Sequence, residues 1–166
     1  MKTEEIELQN DLIKELQLLE KNTRNITHVL YQENLFKNNT LISLIEDLIS
    51  FQKNEWNTSF DFEYEKDINR DKLTSLDKVN IYFIVREAIQ NVNKHSKATK
   101  CSVIIKSEKG GFSIRVTDNG VGFNQNIKVN GIGISSMKER VSNLNSELII
   151  ISNINLGTDL YFKIEC

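Results

Sequence analysis

The sequence predicts an α+β fold: a mixed sheet covered on one face by helices and preceded by one long N-terminal helix. Three patterns point to it. Apolar or small residues recur at alternating spacings of four and three from Leu12 to Leu30. Five later segments read as strands, the first three of them alternating apolar and polar residues with a period of two, and stretches of helical periodicity lie between them. The order is helix, helix, strand, helix, strand pair, loop, helix, strand pair, which a single layered core accommodates.

The first element carries Leu12, Leu16, Leu19, Thr23, Ile26 and Leu30 on one side, a heptad seam on a helix running from about Thr3 to Tyr31. A lone helix cannot bury such a stripe, so a partner helix is expected. Leu41, Ile42, Leu44, Ile45, Leu48 and Ile49 then suit a shorter helix packed on a sheet, closed by the polar cluster Gln52 to Thr58. The domain boundary falls between Glu33 and Leu41, giving a helical segment 1–33 and a second domain 34–166. Phe60, Phe62 and Tyr64 share one face of a strand. Leu76 to Lys97 reads as a helix, with Ser75 or Asp77 as its cap and Val79, Tyr82, Phe83, Ala88, Ile89 and Val92 for its buried side. Ser102 to Lys106 and Phe112 to Val116 form a hairpin across Glu108 to Gly111. After a polar loop, Asn124 to Asn130, a helix is expected over Ser135 to Leu144. Strands Glu147 to Ser152 and Thr158 to Glu165 flank a turn at Asn153 to Gly157.

Composition bounds the function. The chain has 166 residues, 39% of them apolar, enough for one core. No apolar run approaches the roughly 20 residues of a membrane helix. The N-terminus is charged from Lys2 onward, so the cytoplasm is the expected compartment, with any membrane attachment made by parts of a longer parent. Cys101 and Cys166 match no metal spacing and no disulfide framework. A net charge of -2 argues against bulk binding to nucleic acid, although Lys94, His95, Lys97 and Lys100 make a local basic patch.

The chemistry concentrates in three segments: Glu87-x-x-x-Asn91, then Asp118-Asn119-Gly120-Val121-Gly122-Phe123, then Gly131-Ile132-Gly133-Ile134. The carboxylate of Asp118 can accept a hydrogen bond from an exocyclic amine, the glycines let backbone approach a flat ring or a phosphate, and the Asn91 amide can ligate a hard cation. Glu87 and Asn91, at i and i+4, project from one helix face. Together they read as an ATP site built without a Walker loop. The glycines at 131 and 133 have neither a third partner at dinucleotide-fold spacing nor a following Lys-Ser, so Rossmann and P-loop readings fail. Taken singly each piece has a plainer reading: a hairpin turn at Asp118, a solvated carboxylate at Glu87, and at Lys94 and His95 a charge pair on a helix C-terminus.

These residues resemble the ATP-binding superfamily shared by gyrase, heat-shock chaperone and histidine-kinase catalytic domains, and more closely the sensor histidine kinases of the NarX/DesK type. The resemblance lies in Phe83 to Thr99 (FIVREAIQNVNKHSKAT), Val116 to Phe123 (VTDNGVGF), Gly131 to Val141 (GIGISSMKERV) and Gly157 to Leu160 (GTDL). It implies a Bergerat-type two-layer α/β sandwich that binds ATP with Mg2+. It further implies that Asn91 ligates the metal and that Glu87 is the general base or acceptor-positioning carboxylate. Lys94 and His95 would lie near phosphate oxygens, and Asp118 would bond the adenine amino group. Gly120 and Gly122 would shape the wall, Gly131 and Gly133 would hinge a short lid and offer amides to phosphate, and Thr158 would complete the adenine end.

Thr23 to Leu30 (TRNITHVL) resembles the second helix of the dimerisation hairpin of these kinases, which implies a homodimer through segment 1–33. Val29 follows His28 where the phosphorylated histidine of the first helix is followed by an acid. The phosphoacceptor helix is therefore expected in a longer parent, and His28 reads as a polar residue on the bundle surface. Asn155 replaces the first glycine of the family's Gly-x-Gly-Thr, a position where Asn tolerates the left-handed conformation. The function implied is γ-phosphoryl transfer from ATP to a histidine and onward to a response regulator. Two other classes share the pocket: an anti-sigma-type protein serine kinase, and a nucleotide-sensing interaction module without phosphotransfer.

Overall fold

A computed structural model describes residues 35–52, 58–66, 73–124 and 132–165. The heptad helix, His28, Gly131 and Cys166 lie outside them. Residues 35–38 are helical and belong to a first unit ending at Asn38; a second compact unit begins at Asn39. That second unit contains α1 (Leu41–Gln52), β1 (Ser59–Tyr64), α2 (Ser75–Asn91), β2 (Lys100–Glu108), β3 (Gly111–Asp118), α3 (Ile132–Ser142), β4 (Ile149–Ser152) and β5 (Thr158–Glu165). Among the described residues, no helix is long and apolar enough to cross a membrane.

The five strands form one mixed sheet in the order β1-β2-β3-β5-β4, with β1 parallel to β2 and the other neighbours antiparallel. The single parallel pair follows from the crossover through α2, since parallel strands cannot be joined by a tight turn. Alternation puts Phe60, Val103, Ile105, Ile114, Val116, Leu160 and Phe162 on one buried face. There they pack in the core with Ile45 and Ile49 of α1 and with Ile84, Ile89 and Val85 of α2. Each such side chain contributes about 1.5–3 kcal/mol relative to exposure. The opposite face is mostly polar, with Arg115 and Asp159 ion-paired across β3 and β5 and with Ile149 and Ile151 exposed on β4. Burial fades along β1 from Phe60, which is buried, to Tyr64, which is exposed.

Three expectations are corrected. The cap of α2 is Thr74, whose hydroxyl accepts from the Asp77 amide while the Asp77 carboxylate accepts from the Thr74 amide, a reciprocal capping box. The buried face of α2 is Asn80, Ile81, Ile84, Val85, Ala88 and Ile89, whereas Val79, Tyr82 and Phe83 are only partly buried. The aromatic pair Tyr82–Phe83 instead stacks edge to face beside the core, with ring centroids 5.5 Å apart. Finally, α3 starts at Ile132 rather than Ser135, so Gly133 lies within its first turn. Cys101 is buried among apolar neighbours, and burial pushes its thiol up to about 12, which leaves it inert as a nucleophile.

Candidate functional site: a cleft at the end of the sheet

The sheet register builds the floor of the site. Val103, Val116, Leu160 and Ile150 stand opposite one another in a transverse apolar row. One step along the same face the row becomes Asp118, Thr158 and Ser152. The core face thus ends in a line of polar side chains because strands β3, β4 and β5 all change from apolar to polar at the same level. A cleft of about 420 Å³ opens there, lined by this polar row's Asp118 and Thr158, by Val116 and Leu160, and by α2 and α3. That volume lies within the roughly 300–1,000 Å³ of small-molecule sites.

Asp118 is held from several sides. Its Oδ1 accepts from the Gly120 amide at 2.8 Å, and Thr158 bonds it through both hydroxyl and amide. Burial nevertheless pushes its carboxyl above the usual aspartate range, and these hydrogen bonds only partly offset that. Behind it, Ser152 Oγ donates to the Gly157 carbonyl at 2.9 Å and accepts from the Phe123 amide at 2.9 Å. Asn119 ties the end of β3 to the start of β2, its Oδ1 accepting from the Thr99 and Lys100 amides at 3.0 and 2.9 Å. Gly122 adopts φ 58°, and a Cβ there would stand 2.0 Å from the Asn153 carbonyl oxygen, so only glycine fits. Asn155 has φ 62°, the left-handed turn its position requires.

The opposite wall comes from α2 and the π-helical turn that continues it, Val92–Ser96. Glu87 and Asn91 line the cleft from α2, and Lys94 and His95, both exposed, line it from the turn. The wider turn is fastened by Ser96: its Oγ donates to the Val92 carbonyl at 2.8 Å and accepts from the Ala98 amide at 3.0 Å. Its own carbonyl accepts from the Val121 amide at 2.7 Å, joining the helix end to the segment after Asp118. Lys97 then leaves the turn in the left-handed region, at φ 53°. π-Turns of this kind are often found at functional sites.

Of the ten residues singled out in the sequence, eight line this cleft: Glu87, Asn91, Lys94, His95, Asp118, Gly122, Gly133 and Thr158. Gly120 does not line it. It is buried behind Asp118, where a Cβ would meet the Ser96 carbonyl at 2.2 Å, so its contribution is close backbone packing. Gly131 lies outside the described residues. Ser96 and Ser152 escaped sequence reasoning; for Ser152 the usable signal was its place on the apolar face of β4, and for Ser96 there was none.

A family model described as histidine kinase-, DNA gyrase B-, and HSP90-like ATPase matches residues 76–166. Among curated relatives, the signal transduction histidine-protein kinase/phosphatase DegS of Brevibacillus brevis is 39% identical over 88 residues, covering 52% of this chain and 23% of its own length. The sensor histidine kinase LiaS of Bacillus subtilis is 37% identical over 86 residues, covering 51% and 24%. The chain thus spans about a quarter of the length of these relatives. Among solved structures, the Acinetobacter baumannii histidine kinase AdeS superposes with a TM-score of 0.62 at 14% identity, covering 93% of this chain and 83% of that one. The Erythrobacter litoralis blue-light activated histidine kinase EL346 superposes with a TM-score of 0.64 at 19% identity, covering 82% and 45%. At such identities the superpositions speak to the fold.

Proposed function

Since this chain belongs to the histidine kinase-, DNA gyrase B- and HSP90-like ATPase family, we propose that it is the ATP-binding catalytic portion of a two-component sensor histidine kinase. The observation that carries the proposal is the polar row Asp118–Thr158 at the cleft floor, with Asn91 on the helix wall of the same cleft. Asp118 is an acceptor held at the end of an apolar slot, suited to an exocyclic amine on a flat ring lying against Val116 and Leu160. Thr158 orients that carboxylate. Asn91, half-buried at the last residue of α2, offers an amide oxygen to Mg2+, a hard cation that takes few protein ligands and completes its shell with phosphate and water. When bound, the metal would neutralise phosphate charge. Lys94 and His95 add positive charge or donors at the same end.

In the reaction proposed, the unprotonated ring nitrogen of a histidine attacks the γ-phosphorus, the bond to the ADP oxygen breaks, and the proton on the other ring nitrogen passes to a base or to water. Glu87 is the candidate carboxylate to receive it or to position the acceptor. The protein's work is then positioning and charge stabilisation. The acceptor histidine would lie on a helix outside this sequence, segment 1–33 would supply dimer contacts, and a cytoplasmic response regulator would take the phosphoryl group.

Calorimetric titration with ADP and a non-hydrolysable ATP analogue, with and without Mg2+, tests the site. Saturable binding that strengthens with Mg2+ is expected, and Asn91→Ala should remove the Mg2+ dependence while leaving metal-free affinity within about 3-fold. Absence of binding by folded protein would overturn the reading.

A further inference from the structure

The segment Met137-Lys138-Glu139-Arg140-Val141 contains a charged side chain that the nucleotide site does not use. Arg140 is partly buried on α3, its guanidinium 4.7 Å from the centroid of the Phe83 ring. It also donates a long hydrogen bond, 3.4 Å, to Oδ1 of Asn80, a residue only 4% exposed. Partial burial pushes the guanidinium below its ordinary value, opposed by Glu139. An exposed ion would not have needed that environment.

Asn80, Phe83 and Glu87 are spaced three and four along α2 and so share one face. Gly133 and Arg140, seven apart, share the facing stripe of α3 with Met137, which is buried between them in sequence. The two helices run in opposite directions along this seam. Arg140 meets Asn80 and Phe83 at one end, and at the other Gly133 meets Glu87 so closely that a Cβ would stand 2.0 Å from Glu87 Oε1. The Glu87–Gly133 end opens on the cleft, and the Arg140 end lies two turns away, about 10 Å at 1.5 Å per residue.

We propose that Arg140 is a positioning residue of the site: seated on Phe83 and bonded to Asn80, it fixes the register of α3 on α2 and thereby holds Gly133 against the Glu87 carboxylate at the cleft. Its functional consequence rests on the nucleotide-site reading above. Sliding or rotation of α3 about this seam changes where the amino end of the helix stands relative to Glu87, without touching the strand wall.

The test is a pair of readouts on Arg140→Met, which keeps the stem and removes the guanidinium, with Phe83→Leu as a second route to the same loss and exposed Lys138→Met as control. In nitrogen-15 spectra of nucleotide-free protein, the Gly133 amide resonance should shift in Arg140→Met and Phe83→Leu and stay in place in Lys138→Met. Well below each variant's melting midpoint, Mg-ADP affinity should fall roughly 3- to 30-fold in the first two. Arg140→Lys should restore part of it. A Gly133 resonance unmoved in folded Arg140→Met or Phe83→Leu overturns the proposal, as does unchanged affinity in variants of a protein that binds. If the parent chain binds no nucleotide while Gly133 still responds, the nucleotide reading falls and the positioning role stands.

Discussion

A Cβ placed on Gly120 would stand 2.2 Å from the carbonyl oxygen of Ser96, and one on Gly133 would stand 2.0 Å from a carboxylate oxygen of Glu87. The distances are alike and their consequences differ. On the strand wall the obstacle is backbone, and it is backbone again at Gly157, where a Cβ would lie 1.9 Å from the Asp118 carbonyl. On the helix wall it is the end of a flexible side chain. The strand wall is thus fastened by main-chain contacts and buried hydrogen bonds. Where α2 meets α3 the helix wall is held by side chains that can turn, and only its Ser96 end shares the main-chain contacts of the strand wall. The function proposed above, a flat ring held at one end and a phosphoryl group transferred at the other, suits this division.

The sharpest way to break the comparison is Gly120→Ala. It forces the segment after Asp118 away from Ser96, and we expect a loss of about 3 kcal/mol in urea unfolding, the upper end of overpacking costs, with nucleotide binding lost alongside. A variant that unfolds at the same urea midpoint would show that the strand wall yields after all.

Asp118→Asn probes the wall's chemistry without its packing. Removing the charged acceptor should weaken ADP binding roughly 10- to 150-fold, the range for a hydrogen bond to a charged group. Stability should move the other way. The folded-state value of Asp118 is raised, so its contribution to stability is fully present below the unfolded aspartate value and is lost as pH rises through the raised one. At neutral pH the ionised side chain is therefore a cost that the amide does not carry. The variant should melt at or above the parent's temperature at pH 7, with the difference shrinking as the pH falls through the raised value. A lower melting temperature at pH 7 would contradict this.

How much of this was readable in advance differs between the walls in the same way. Asp118, Gly122 and Thr158 were legible because strand alternation and the Asp-Asn-Gly turn fix both face and end. The helix wall was harder. On α2 the aromatic bulk of Tyr82 and Phe83 and the apolar branch of Val79 suggest core, while the helix packs against the sheet through Ile81, Ile84, Val85 and Ile89 and leaves Phe83 beneath Arg140. A buried Asn80 gives no periodic signal at all. Gly-Ile-Gly is a poor helix opening and points to a start of α3 at Ser135, whereas the helix begins at Ile132 with Gly133 packed against Glu87. The five-residue π-turn is too short for any periodicity to reveal.

Gly133→Ala sharpens the contrast with Gly120. Glu87 can rotate aside, and alanine favours a helix over glycine by about 0.5–1 kcal/mol, so the melting temperature should change by no more than a few degrees. Mg-ADP affinity should still fall roughly 5-fold through the displaced carboxylate and helix end. Equal losses of stability in Gly120→Ala and Gly133→Ala would erase the distinction between the walls.

The smallest effect is expected where the helix wall meets solvent. Lys94 is exposed on the π-turn and lines the cleft. A solvated ammonium near phosphate gains little over water, about 0.2–1 kcal/mol by analogy with exposed ion pairs, and that gain is screened by salt over about 10 Å at 0.1 M. Lys94→Ala should therefore weaken ADP binding by roughly 5-fold or less at low ionic strength and by almost nothing at 0.5 M salt, with melting unchanged. A large loss that persists at high salt would mean that Lys94 becomes desolvated when nucleotide binds. The helix wall would then close around the phosphates far more tightly than its exposed side chains indicate, and the contrast between a fixed wall and a yielding one would describe only the free protein.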